Sequence, residues 1–253
     1  LLVRESDLAE TMNLGGDERI YPASMTKIMT ALLAIENLPD LNETITVPEE
    51  IFEELTAQDA SVAGFNPYEQ PTVRDLLYGV LLPSGADACE TLARAVGGSE
   101  EGFVAMMNQK AEELGLTNTH FENCTGLHND NHYSTCRDIA VLMSECLKSD
   151  TFREIVTREV YTTEDTASHP EGITLYDTML HRFTSYEMST TLENGAVIEG
   201  GKTGFTDEAG QCLVSFAEYG GEEYILVTAE AMTDSGSAVD SIADASTVYG
   251  RLQ

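Results

Sequence analysis

Between Met25 and Ile35 the chain is apolar apart from Thr26, Lys27 and Thr30. Read at the helical period, such a run has no polar face. A helix of that kind is stable only with other elements packed around it, so it belongs at the centre of a domain. The 253 residues supply enough chain to cover it. One of only four lysines in the sequence, Lys27, falls inside this run. A lysine there must be paired or lose its charge.

The cover can be read from pattern. Val73 to Leu82 reads as a helix closed by Pro83-Ser84-Gly85, and Asp87 to Val96 as another stopped by Gly97-Gly98. Ser99 is placed to N-cap a helix to Leu114, and Thr135 with Asp138 opens one through Leu147. Glu49-Glu50 with Glu53-Glu54 read as a solvated helix face, and Met25, Met29, Met106 and Met107 as core filler. Three strand-like segments follow: Ala196 to Phe205, Gln211 to Glu218 and Glu223 to Met232. They are joined by short Gly-containing turns that favour antiparallel neighbours. A last helix is expected from about Ser237 to Tyr249. Leu1-Leu2-Val3 and Glu10 to Leu14 read as a strand pair at the other end. The expected fold is α/β (α+β): an antiparallel sheet from the N- and C-terminal strands, flanked by helices. A mostly helical region from about residue 45 to 150 lies between them, within a single domain spanning 1–253.

Charge narrows the function. Against 13 Lys and Arg stand 44 Asp and Glu, a formal net charge of −31. That excludes a nucleic-acid partner, which requires a basic stripe, and argues against simple docking to anionic lipid. No apolar run approaches the roughly 20 residues that span a bilayer. Leu1-Leu2-Val3 runs directly into Arg4-Glu5, without a signal-peptide pattern. The five cysteines are an odd number with no CxxC pair. Cys124, His128, His132 and Cys136 stand four apart, but Thr125-Gly126 and Asn129-Asp130-Asn131 interrupt any helix that would align them. They are read as loop residues, and neither a metal nor a cofactor is expected.

Two motifs carry chemistry. In Ser24-Met25-Thr26-Lys27, a lysine three residues after a serine shares its helix face. If burial lowers its pKa, it can act as the base that activates the hydroxyl. Free N–H groups at the helix start favour an oxyanion there. In Lys202-Thr203-Gly204, a glycine on a strand edge lets a ligand lie close, and the lysine and threonine can bind a carboxylate. With 27 Thr and 20 Gly in the chain, a chance Lys-Thr-Gly is expected only about 0.03 times.

Together with Ser84-Gly85-Ala86, these motifs resemble in type and order those of the penicillin-binding proteins and serine β-lactamases. Tyr21 to Thr30, Leu82-Pro83-Ser84-Gly85, Met107 to Lys110, Asn118 to Phe121, His132 to Thr135 and Gly201 to Thr206 are similar to the low-molecular-mass serine D-alanyl-D-alanine carboxypeptidases. The resemblance runs from about residue 10 to about 230. It implies a transpeptidase-like fold and the following roles. Ser24 is the acylated nucleophile, Lys27 its base, and Ser84 a proton relay to the leaving amine. Lys202 and Thr203 hold the substrate carboxylate, Gly204 lies beside it, and the N–H groups of Ser24 and Phe205 form the oxyanion hole. The implied substrate is a peptidoglycan stem peptide ending in D-Ala-D-Ala, with β-lactams as covalent inhibitors. That substrate places the protein in the bacterial cell envelope, outside the cytoplasmic membrane. Membrane attachment is expected only through segments beyond this chain, such as the stalk and anchor of many relatives.

The sequence departs from the family at Ala86, where an asparagine is usual, and in His181 to Asn194, which carries Arg182 but no basic, asparagine-rich stretch. Two alternatives therefore stand beside the carboxypeptidase. One is a β-lactamase, with Glu154, Glu159, Glu164 and Glu171 in the stretch where a deacylating glutamate would lie. The other is a weakly active or non-catalytic module that binds peptidoglycan or β-lactams. The five histidines are read as loop hydrogen-bonders, with His132 the one best placed for more.

Overall fold

The computed structural model describes residues 1–231 and 239–253. The chain opens with β1 (Leu2–Arg4) and β2 (Glu10–Met12), an antiparallel pair, and β3 (Arg19–Ile20). One 3-10 turn, Ala23–Thr26, leads into α1 (Lys27–Asn37). Then come α2 (Ile51–Ala57), α3 (Val73–Leu81), α4 (Ala86–Gly97), α5 (Glu100–Glu113), β4 (Ser134–Thr135), α6 (Cys136–Leu147) and α7 (Asp150–Val156). β5 (Val160–Thr162) pairs with β6 (Thr174–Tyr176), and α8 (Leu180–Ser185) precedes the long strands β7 (Val197–Thr206), β8 (Gly210–Tyr219) and β9 (Glu222–Ala231). The last described helix is α9 (Asp240–Tyr249).

Both ends of the chain meet in one five-stranded sheet, ordered β2-β1-β9-β8-β7 and antiparallel throughout. Leu2 stands opposite Leu226. Strand alternation gives each face its own core. Val214, Phe216, Ile225 and Val227 point into the helical body around α1, while Leu213, Ala217 and Leu226 pack with α8 and α9. On that second face the buried Tyr249 hydroxyl donates to Ser215 O at 2.9 Å and accepts from Leu226 N at 3.1 Å. Every residue of α1 from Lys27 to Ala34 is buried, as its apolar run requires. Side chains of Thr72, Ser99, Thr135 and Ser149 cap α3, α5, α6 and α7, each accepting from a backbone N–H that the helix leaves free.

The structure adds to the pattern and corrects it in places. The central helix does not begin as an α-helix at Met25: its first turn is 3-10. The solvated helix face read at Glu53-Glu54 belongs to the short α2, whereas α7, α8 and the β5–β6 pair lacked a period long enough to read. Met106 is half-buried on α5, whereas Met25, Met29 and Met107 are core. The expected strand end at Met232 and helix start at Ser237 lie outside the described residues. For the site, the decisive feature is that β7 is the edge strand and the 3-10 turn packs beside it.

Candidate active site

Ser24 is the one residue between Pro22 and Ala34 that is not buried. Ala23 before it adopts φ 45°, a conformation that L-residues avoid and that recurs at strained functional turns. In a 3-10 turn residues three apart eclipse one another, so residue 27 stands directly over residue 24. Lys27 Nζ accordingly lies 2.9 Å from Ser24 Oγ. Its other partner is the carbonyl oxygen of Thr125, at 2.6 Å. Among the described residues no carboxylate pairs with the amine, and burial, the largest effect, lowers its pKa from the ordinary lysine value. Lys27 is thus a buried amine held by a carbonyl and aimed at a serine.

The loop that supplies that carbonyl is folded by Asn123. Its Oδ1 accepts from the N–H groups of Thr125 and Gly126, and its Nδ2 donates to Leu127 O. Thr30 on α1 donates to Cys124 O at 2.6 Å, tying loop to helix. Gly126, at φ 83°, passes so close that a Cβ there would stand 1.9 Å from Ala23 O. On the same side, His132 accepts from Glu122 N at Nδ1, so its neutral ring donates from Nε2 to Thr26 Oγ1 at 2.7 Å. Burial pushes its pKa down to about 3.

Ser84 lies on the α3–α4 connection. Its φ is 67°, and its buried Oγ has no hydrogen-bond partner among the described residues. The structure does not bond it to Ser24 or Lys27, so it is held by its backbone alone. Gly85 N donates to Gly79 O and Ala86 N to Ser61 O. The Asp87 carboxylate accepts from the N–H groups of Ala63, Gly64 and Phe65, fixing that loop against the start of α4. The Ala86 methyl is buried at 1% exposure and offers no polar group to Lys27.

β7 brings the last motif alongside. A Cβ at Gly204 would stand 3.0 Å from Ser24 N and 3.1 Å from Ala23 Cβ, so only glycine lets the strand approach this closely. Thr203 Oγ1 shares a 2.6 Å hydrogen bond with Thr178 Oγ1. Phe205 is 56% exposed at the rim. Lys202 is buried, and among the described residues it donates only to its neighbour's carbonyl, Thr203 O, at 3.1 Å. Burial and then the charge of Lys27 lower its pKa, while Asp177 opposes the shift. Asp177 is itself raised by burial, although its Oδ1 accepts from Met179 N and Leu180 N.

The loop around Gly126 and strand β7 therefore close on the turn that carries Ser24 and Lys27. The sequence model of the D-alanyl-D-alanine carboxypeptidases matches residues 12–233. The chain belongs to the D-alanyl-D-alanine carboxypeptidase family. It is 36% identical over 222 residues to the D-alanyl-D-alanine carboxypeptidase DacF of Bacillus subtilis, covering 87% of this chain and 54% of that protein. It thus spans about half the length of that relative. To the D-alanyl-D-alanine carboxypeptidase of Streptomyces sp. K15 it is 37% identical over 217 residues, 83% of this chain and 72% of the relative. The crystal structure of the Streptomyces K15 DD-transpeptidase superposes with a TM-score of 0.84 at 31% identity, covering 98% of this chain and 94% of that one. Penicillin binding protein 5 of Haemophilus influenzae gives 0.79 at 27% identity, over 96% of this chain and 67% of that one. The mixed fold expected from the sequence is the DD-peptidase fold.

Within this family frame, Thr125, Asn123, Gly126, Thr178 and Asp177 are the residues that sequence reasoning missed. Asn123-x-x-Gly126 carried the signal of a side-chain-stabilised turn, but nothing local says that the turn reaches Lys27. The four-apart Cys and His set is dispersed in its bonding. Cys124 Sγ points to Glu90, and His132 to Thr26. Among the described residues, Glu90, Glu100 and Cys124 place three potential ligand atoms within 4.8 Å of one another, and Arg94 already pairs with Glu90 there. Of the glutamates considered for deacylation, Glu154 binds Arg74 and the Tyr78 hydroxyl, and Glu159 lies 3.7 Å from His181. Glu164 and Glu171 are exposed.

Proposed function

We propose that this chain removes the terminal D-alanine from peptidoglycan stem peptides ending in D-Ala-D-Ala, through an acyl-enzyme on Ser24. The observation that carries the reading is the buried Lys27 amine, 2.9 Å from Ser24 Oγ and anchored by Thr125 O. A neutral amine there takes the serine proton as Oγ attacks the carbonyl carbon of the penultimate D-alanine. The N–H groups of Ser24 and Phe205 receive the oxyanion. Ser84, whose hydroxyl has no hydrogen-bond partner among the described residues, passes the proton from Lys27 to the departing nitrogen as the peptide bond breaks. D-Alanine leaves, water attacks the ester, and Ser24 regains its proton. β7 is the last strand of the sheet, which suits pairing with an extended peptide beyond the segment that Thr190–Leu192 covers, with Gly204 allowing close approach. Lys202 and Thr203 bind the terminal carboxylate.

Ala86 does not disable this arrangement. The carbonyl of Thr125 orients the lysine, a task that an asparagine at position 86 would share. β-Lactams acylate the same serine by ring opening. Because the substrate lies beyond the cytoplasmic membrane, the chain works in the cell envelope, as one domain.

Intact-mass measurement after incubation with benzylpenicillin, then a drug-free chase, tests the reading beside a D-alanine release assay. A persistent adduct on Ser24 and release of D-alanine, both absent in Ser24→Ala, are expected. An adduct lost within seconds would make the chain a β-lactamase. No adduct at any dose would make it a binding module.

A further inference from the structure

The Thr125 carbonyl that fixes Lys27 sits next to a residue gripped from three sides. Cys124 O accepts from Thr30 on α1 at 2.6 Å, and Cys124 N donates to Glu100 Oε1 at 3.2 Å. The Cys124 thiol donates to Glu90 Oε1 at 3.5 Å. Glu90 lies in the body of α4 and Glu100 opens α5. Carboxyl groups from two helices therefore hold the neighbour of the residue that aims the lysine. One oxygen of each lies, with Cys124 Sγ, in a group whose atoms are all within 4.8 Å of one another.

Two carboxylates this close repel each other unless one carries a proton. Glu90 is suited to carry it, being 7% exposed, whereas Glu100 is half-buried. Burial, and then the charge of Glu100, push the Glu90 carboxyl up to about 7, against its pairing with Arg94. Glu54 from α2, and Glu122 and His128 from the loop, line the same cavity of about 230 Å³. On α4 the Asp87 carboxylate is bound by backbone N–H groups, and on α3 Arg74 and Tyr78 are engaged by Glu154 and Asp75 by Thr72. On α1 Lys27 is fixed to Thr125 O, and Glu36 pairs with Lys110. Once Glu90 loses its proton, Arg94 faces two carboxylates. The cavity then gives the less buried Glu100 room to turn away, which withdraws the acceptor from Cys124 N.

We infer that Glu90 and Glu100 are a positioning pair for Lys27: with one proton between them they hold Cys124, so that the Thr125 carbonyl keeps the amine on Ser24, and loss of that proton frees the segment. This rests on the reading above of Lys27 as the base of Ser24 acylation. Neither carboxyl touches substrate, and both act through the backbone of residues 124 and 125.

The test follows the second-order rate of Ser24 acylation by benzylpenicillin against pH in wild type, Glu90→Gln and Glu100→Ala. Exchange of the Cys124 amide hydrogen, corrected for its intrinsic pH dependence, is read beside it. E90Q keeps the shape of the protonated side chain and cannot ionise. The rise with pH that a neutral Lys27 gives is common to both proteins and cancels in their ratio. Between about pH 6 and about pH 8.5, wild type should lose about tenfold in acylation relative to E90Q. Protection of its Cys124 amide should fall by a similar factor over that range. E100A lacks the acceptor and should acylate about tenfold slower than E90Q even at the acid end. Final acylation stoichiometry reports whether each variant is folded. A wild-type to E90Q ratio that stays flat overturns the inference, and so does a Cys124 amide equally protected throughout. If wild type forms no adduct at any pH, the base reading of Lys27 falls and the amide alone decides. Protection lost in wild type and kept in E90Q then upholds the pair's grip on the loop, and equal protection removes it.

Discussion

Lys27 Nζ stands 2.6 Å from the carbonyl oxygen of Thr125, a residue 98 positions further along the chain. That contact makes the lysine's aim depend on a loop whose backbone must run against the turn carrying Ser24. Gly126 sets how close the loop can come, since a Cβ there would meet Ala23 O at 1.9 Å. Gly126→Ala is therefore expected to push the carbonyl away from Lys27. Ser24 acylation by benzylpenicillin should slow by about a hundredfold, and stability should fall by about 2–4 kcal/mol, readable in urea titration. Wild-type acylation in that variant would show that the carbonyl does not orient the lysine.

Acylation should rise with pH. The pKa of Lys27 lies below the ordinary lysine value because burial disfavours the ammonium. Proton uptake through the folded-state pKa removes the base as pH falls, so the acylation rate declines on the acid side with the slope of one proton. The measurement is the second-order acylation constant against pH. A flat profile would assign the base elsewhere.

His132 makes a separate contribution to acid stability. Its folded pKa is about 3 against the ordinary 6.5, so the unfolded chain binds the extra proton between those values. Stability gained by keeping the ring neutral is full above pH 6.5 and lost as pH falls toward 3. Comparing wild type with His132→Gln, the difference in unfolding free energy should change by up to about 1.4 kcal/mol per pH unit in that window. Equal slopes in the two proteins would mean that the histidine is charged when folded.

Restoring the family's usual residue at position 86 should gain little. The Ala86 methyl is 1% exposed at the start of α4, so Ala86→Asn adds volume to a filled space and costs about 1–3 kcal/mol. Thr125 already binds the amine, so acylation should change less than about tenfold, near the value of one neutral hydrogen bond. A rise of a thousandfold would identify Ala86 as a disabling substitution.

Tyr249 offers a check on the far face of the sheet. Its hydroxyl receives Leu226 N and donates to Ser215 O. Tyr249→Phe should lower stability by about 1–3 kcal/mol and leave acylation stoichiometry intact. Loss of acylation would reveal coupling between the two faces.

What was legible in the sequence were elements with a long period or a strong stop. α1 was visible because eight consecutive residues are buried, and β7, β8 and β9 because two glycine-bearing joints separate ten-residue strands. The site motifs were legible for a related reason: Ser24 and Lys27 are one short turn apart, and Lys202 to Phe205 are consecutive. The illegible parts were contacts made across the chain. Thr125 reaches Lys27, Thr178 reaches Thr203, and His132 reaches Thr26 from loops whose local residues specify a turn but not its destination. The 3-10 geometry beneath Ser24 was also hidden, because a single tightened turn leaves the spacing of apolar residues unchanged.

The pairing of Leu2 with Leu226 has a consequence for the order in which the molecule is made. The first strand of the sheet emerges from the ribosome long before its neighbour β9 exists. Until then β1 and β2 have only each other, and a two-stranded ribbon of three-residue strands is not stable in water. Ser24 and Lys27 are likewise synthesised some 175 residues before the edge strand against which they must pack, as the positions of Lys27 and Lys202 show (202 − 27 = 175). Folding dominated by such distant pairings is slow. A nascent chain therefore carries Ser24, the proposed nucleophile, before the cleft exists, and the proposed chemistry arises only when the last long strand joins.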